Sequence, residues 1–145
     1  YVQGFYLFNP ETKNDTPTVF GVNEPYDRHY SITDQYLARL GLSYECVPTW
    51  GLSADLGGRL EGVPPRDVIG RSYGFRRPGY ILSIEPGLSM TRGRWSFSLA
   101  VPVAVYRNRQ KSVADKWLER TTGLPHHGDA ALADYAVTAG ISRRF

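Results

Sequence analysis

From Tyr135 the odd positions read Tyr135, Val137, Ala139, Ile141, Arg143 and Phe145, and the even ones Ala136, Thr138, Gly140, Ser142 and Arg144. A period of two with one apolar face is that of a β-strand. The same alternation between turn signals predicts strands over about 1–8, 35–47, 50–62, 79–91, 94–107 and 132–145. Their connections run long, short, long, short, long: 9–34, Pro48-Thr49, 63–78, Arg92-Gly93 and 108–131. Arg92-Gly93 reads as a two-residue hairpin turn, with Thr91 opposite Arg94 and Gly where a positive φ is needed. Pro86 and Pro102 fall inside the fourth and fifth strands, where neither can donate a ladder hydrogen bond, and predict a local bulge.

The apolar sets of the last five strands are Tyr36 to Cys46, Trp50 to Leu60, Tyr80 to Met90, Trp95 to Val105 and Tyr135 to Phe145. Ten steps at about 3.3 Å per residue, tilted by about 40°, rise roughly 25 Å, the height of a lipid-facing band. Tyr36, Tyr80 and Tyr135 would form one aromatic girdle, and Trp50, Trp95 and Phe145 the other. Of these 30 positions only Arg143 is charged, whereas the 25 between them include Arg39, Glu45, Asp55, Arg59, Glu85 and Arg144. Lipid on one face and water on the other explain that asymmetry, and Arg143 lies near a strand end from which it can snorkel. The reading is an all-β chain, an antiparallel up-and-down meander forming the C-terminal strands of a transmembrane β-barrel, with residues 1–145 as a single region. A soluble secreted β-sandwich also alternates. It does not require a uniform ten-residue band or alternating loop lengths.

Composition changes this picture little. A mean hydropathy of -0.36 looks soluble, but a transmembrane barrel alternates and so averages to such a value. No run approaches the 18 apolar residues of a membrane helix. A net charge of +3 is mild and dispersed, which argues against nucleic acid as a partner. A lone cysteine, Cys46, excludes an internal disulfide and reads as a small hydrophobe on the outer face. The opening at Tyr1 carries neither Met nor a signal region. Six strands fall short of the eight that close the smallest such barrels, so further N-terminal strands are expected.

The stretches "GLSADLGGRLEGVPPRDVIG", "GFRRPGYILSIEPGLSMTRGRWSFSLAVPVAVYRNR" and "DYAVTAGISRRF" resemble the C-terminal part of Gram-negative outer-membrane β-barrels of the phenol-degradation MetA-pathway or transporter type. The resemblance implies a bacterial outer-membrane location and porin-like transport. It also implies that the β-barrel assembly machinery reads the terminal segment, with Tyr135 and Phe145 as its signal. It carries over no catalytic residue and no cofactor.

Candidate chemistry follows from the faces. Triplets of Gly, an apolar residue and Ser recur at Gly41, Gly51, Gly87 and Gly140, each with Gly and Ser on the inner face. They leave a wide lumen or permit strong curvature. Arg39, Glu45, Asp55, Arg59 and Glu85, with Gly87 and Ser89, are the lumen-facing candidates, as a selective charge ladder or as a structural network. Arg66, Arg71, Arg76, Arg77, Arg107, Arg109 and Lys111 are candidates for a basic external rim, binding lipopolysaccharide or attracting anions, or serving as solvated loop charge. In the last loop Ser112 and Asp115 resemble a helix start, with Val113, Trp117 and Leu118 on one face. His126, His127 and Asp129 lack a fourth ligand, so no metal is expected. No G-x-S-x-G elbow, phosphate loop or H-E-x-x-H helix marks an enzyme. The expected function is a passive or facilitated channel for small molecules. The alternatives are a structural or adhesive barrel with ligand-binding loops, and the soluble sandwich as a binding module.

Overall fold

The computed structural model of the chain describes residues 1–11, 13–18, 29–127, 130 and 132–145. Among the described residues nine strands form: β1 Val2–Leu7, β2 Lys13–Pro17, β3 His29–Ser31, β4 Gln35–Val47, β5 Leu52–Val63, β6 Gly79–Arg92, β7 Trp95–Ala100, β8 Val103–Arg109 and β9 Thr138–Arg143. One α-helix among the described residues, α1 Val113–Thr122, lies between β8 and β9. The main sheet runs β1-β4-β5-β6-β7-β9, with β8 continuing the line of β7 along β6. Every pairing within it is antiparallel. The result is a meander curled into a half-barrel. The short pair β2-β3 stands apart from it.

Register keeps like with like across the whole sheet. Leu42 is opposite Leu56, Leu56 opposite Pro86, Leu88 opposite Leu99 and Leu99 opposite Ala139. A single curled layer crowds side chains on its concave face and splays them on its convex one. Ile81, Ser83 and Glu85 are buried, while Leu82, Ile84, Pro86 and Leu88 between them are exposed. The polar set is therefore concave and the apolar set convex, inverting the arrangement of a water-soluble sheet. Among the described residues the buried hydrophobic side chains include Ile81, Ala114, Leu118 and Ala130.

Several details differ from expectation. The hairpin turn is Gly93-Arg94, because Arg92 pairs with Trp95 and Thr91 with Ser96. Gly93 takes the positive φ of 61° there, and the two-residue slide leaves every side chain on its expected face. The fifth strand is interrupted at Val101-Pro102, between β7 and β8, yet the register runs on unchanged, with Gly87 opposite Ala100 and Ile84 opposite Val103. The bulge itself lies further along, where Leu82 faces Tyr106 and Ser83 faces Ala104, so that Val105 is the extra residue. Trp50 sits in a 3-10 turn, Pro48–Trp50, and not in β5. Cys46 is a second extra residue, between the pairs Glu45–Ser53 and Val47–Leu52. The last strand is shorter than expected, and Tyr135 joins the sheet only through a bridge to Val103.

α1 begins as the sequence indicates. The Ser112 hydroxyl accepts the Asp115 N–H at 3.0 Å, and the Asp115 carboxylate accepts the Ser112 N–H at 2.8 Å. This reciprocal cap satisfies two orphan donors. Glu119 holds both flanks of the helix, accepting Lys111 Nζ at 2.5 Å and the His126 N–H at 3.0 Å. The Lys111 bond and the His126 N–H hold its carboxyl below the ordinary value against the effect of burial.

A buried polar knot closes the loop end of the sheet. Asp67 accepts Arg76 Nη1 at 3.0 Å and Nη2 at 2.5 Å, with both side chains fully buried. Asp67 also accepts the Asp34 N–H at 2.9 Å. Asp34 in turn accepts the N–H groups of Asn9 and Val68 at 2.8 and 2.9 Å, and the Tyr6 hydroxyl at 3.0 Å. Burial alone would raise the Asp34 carboxyl, but those three donors and the Arg76 charge together hold it below its ordinary value. Such a group stabilises the fold fully above its unfolded value, about 3.9, and loses that contribution as pH falls through the lower folded value. Amide-exchange protection at Asn9 and Val68 is accordingly expected to hold steady at neutral pH and to decline only below about pH 4. In Asp34→Asn it should be weaker at neutral pH and show no such decline.

Candidate functional site

The concave face is organised in rows of residues that lie directly opposite one another. Arg39 on β4 faces Arg59 on β5, which faces Ser83 on β6. Next come Gly41, Gly57 and Glu85, then Ser43, Asp55, Gly87, Ala100 and Thr138. The last row is Glu45, Ser53, Ser89, Ser98 and Gly140. All seven lumen-facing candidates thus share one face.

Two like charges opposite each other repel, and the sheet resolves the Arg39–Arg59 pair with Glu85. Arg39 reaches across β5, where Gly57 has no side chain, and donates from Nε to Glu85 Oε1 at 2.7 Å, with Nη2 on the same oxygen. Arg59 approaches the other oxygen, Oε2, at 3.4 Å. It also binds Glu61 through Nε at 3.0 Å and Nη2 at 2.5 Å. Gln3 accepts the remaining Arg39 edge at 3.0 Å. Glu85 is 2% exposed in the middle of this arrangement.

The glycines of this face are filled from above. A Cβ on Gly41 would meet the Tyr1 ring at 2.5 Å, and one on Gly57 the Tyr1 hydroxyl at 2.5 Å. The Arg39 guanidinium stands 5.9 Å from the centre of that ring. Gly87 serves close approach, since a Cβ there would lie 2.9 Å from the Leu99 carbonyl oxygen. These glycines let strands and Tyr1 pack closely. Beside them a cavity of about 200 Å³ is bordered by Tyr1, Arg39, Asp55, Glu85, Ser98 and Thr138. Arg39, Arg59, Glu61 and Glu85 balance in charge, so Asp55 gives the group one surplus negative charge.

The proposed basic rim divides. Arg66, Arg71 and Arg77 are exposed, and the Arg77 guanidinium lies 5.6 Å from the Phe75 ring centre. Arg76 is not a rim residue. It is the cation of the buried knot with Asp67, and Lys111 is bound to Glu119. The Val105 bulge reverses parity beyond it, so Arg107 lies opposite Ile81 and Arg109 opposite Gly79, both on the concave side of the register. Arg107 pairs with Asp134. The same bulge brings Tyr106 to the convex face, 6.1 Å from Tyr80 between ring centres, and adds it to an aromatic row that sequence parity had missed. At the opposite end the Arg143 guanidinium stands 5.3 Å from both the Trp95 and Phe145 rings, a cation held between two aromatic faces. Phe145 and Tyr135 are exposed.

Sequence reasoning also passed over the buried knot, because Asp34 and Asp67 stand 33 residues apart in segments without periodicity. Its one local signal is the unusual density of Arg, Asp, Gly and Ser between Pro64 and Pro78. Asp129 lies outside the described residues, and among those described no group of three His, Cys, Asp or Glu side chains can hold a metal ion. No protein-family model, curated protein or solved structure matches the chain.

Removing the Glu85 charge leaves Arg39 and Arg59 opposed without the anion they share. Glu85→Gln is expected to destabilise by about 2–4 kcal/mol in urea unfolding. Adding Arg39→Gln should recover part of that loss, and a double-mutant cycle would read the coupling.

Proposed function

We propose that the chain forms the C-terminal wall of a bacterial outer-membrane β-barrel that acts as a passive or facilitated channel for small molecules. The observation that carries this reading is the inverted burial of β6, with Glu85 enclosed on the concave side while Leu82, Ile84 and Leu88 lie bare on the convex one. A water-soluble sheet with these faces would leave a large apolar surface in water. In a bilayer the same surface is solvated by lipid. The aromatic residues at both ends of the convex face support the reading, as does the resemblance to Gram-negative transporter barrels. Among the described residues no helix is long and apolar enough to cross a membrane. Lipid would then be the partner of the outer face, and solute and water would pass over the rows headed by Glu85, Asp55 and Ser89.

Single-channel recording of the closed, full-length barrel in planar bilayers tests conduction directly. Discrete conductance steps are expected. Ser89→Trp, on the concave face, should reduce their size, and Leu88→Trp, on the convex face, should not. Insertion without conduction would instead favour the structural or adhesive alternative.

The membrane assignment has its own test. Leu99→Arg is expected to cost about 2–4 kcal/mol of stability in lipid if Leu99 lies near mid-height, and Ser98→Arg, one residue away on the concave face, far less. Equal losses in urea unfolding would overturn the assignment of faces.

A further inference from the structure

The end of the sheet that carries the short turns holds arginine and no acid. Segments 46–54, 86–100 and 135–145 contain Arg92, Arg94, Arg143 and Arg144 but neither Asp nor Glu. All four arginines are exposed. Among the described residues no acidic side chain pairs with any of them. The closest acid along these strands, Glu45, lies in a concave row opposite Ser53. A terminal carboxylate on Phe145 would offset only one of the four charges.

Register divides the four into pairs. Arg92 lies opposite Trp95 and Trp95 opposite Arg143, so one convex row reads Arg92, Trp95, Arg143. Arg94 and Arg144 have the other parity, each two residues beyond the concave pair Ser96–Ser142. The Arg144 N–H donates to the Arg94 carbonyl at 2.9 Å. We infer that Arg92 and Arg143 bind the phosphate of a membrane glycerophospholipid over the Trp95 ring. The inference rests on the membrane reading of the convex face.

Arg143 is already seated for this. Its guanidinium stands between the Trp95 and Phe145 rings, and the Trp95 ring stacks in turn on Phe97, 6.4 Å between centres and 19° between planes. A guanidinium held by its faces keeps its N–H donors in its own plane, where they match two phosphate oxygens. Arg92 approaches from the other side of Trp95, with the two Cα atoms roughly 10 Å apart across two strand spacings of about 4.8 Å. Two long side chains can close on one anion over that span. The Thr91 N–H donates to the Gly51 carbonyl at 2.9 Å, which docks the Trp50 turn beside this row. Aromatic side chains of such a girdle sit at the level of lipid headgroups, where the phosphates lie. Beyond the row the convex face continues through exposed Phe97 and Leu99, a surface for acyl chains. Free phosphate would use only the charged half of this arrangement. A phospholipid uses both.

Isothermal titration of the closed, full-length barrel in an uncharged detergent tests this, with dihexanoyl phosphatidylglycerol as the probe and dihexanoylglycerol and inorganic phosphate as controls. The phospholipid should bind saturably and about tenfold or more tightly than either control. Arg92→Gln and Arg143→Gln should each weaken it about tenfold. Arg94→Gln and Arg144→Gln, on the other face, should leave it within about twofold. The urea midpoint of each variant, measured alongside, shows that the fold is retained. Equal affinity for phosphatidylglycerol and dihexanoylglycerol would leave only the tails and overturn the site. Equally tight binding of inorganic phosphate would overturn the lipid as its occupant. Equal losses in all four variants would mean a diffuse basic surface, which overturns it as well. A full-length protein that stays soluble without detergent would defeat the membrane reading itself, a result distinct from insertion without headgroup preference, which defeats the phosphate site alone.

Discussion

Glu85 is a charged side chain almost wholly withdrawn from solvent on a sheet one layer thick, and much of the arrangement around it follows from keeping it there. A carboxylate taken out of water needs opposite charge and hydrogen bonds close by. Arg39 and Arg59, opposed on neighbouring strands, need a shared anion for the same reason. Each side resolves the other. The contact also spans three strands, so it sets how tightly β4, β5 and β6 curl as well as which groups are neutralised.

Curling fixes the rest of the concave face. As the wall tightens, side chains inside converge, and the positions on either side of Glu85 must be small or must interlock. Gly41 and Gly57 accept the Tyr1 ring, Gly87 accepts the Leu99 backbone, and Ser53, Ser89 and Ser98 make a low polar row. Outside, side chains diverge, and bulk is tolerated without packing partners. That is why Leu56 can sit between Leu42 and Pro86, and Leu88 between Leu99 and Ala54, with the register undisturbed.

The strands and faces were legible in the sequence because a period of two is a local signal, renewed at each residue and insensitive to sliding by an even number. The Gly93-Arg94 turn shows this insensitivity: pairing moved by two residues and every face survived. A single extra residue is different. Val105 reversed the parity of Tyr106 and Arg107, and nothing in the alternation announced it. Arg76 was misplaced for another reason. Loop composition records that charges are present, but only the fold decides that Asp34 and Asp67 come together, and with them the cation that they bury. The capping signal of α1 was readable because both partners lie within four residues.

The two prolines have a consequence for the wall itself. The Val101 N–H donates to the Pro86 carbonyl at 2.9 Å and the Ala136 N–H to the Pro102 carbonyl at 3.2 Å. Neither proline has an N–H with which to return the bond. The ladder is thus thinned on both sides of the fifth strand at one height, where a continuous sheet would resist bending most evenly. Pro102 stands level with Glu85 in the register that runs from Gly87–Ala100 to Ile84–Val103. The Glu85 clamp therefore abuts a line where the ladder holds fewer backbone bonds. A substitution that breaks the clamp acts on the sheet where fewer hydrogen bonds resist bending.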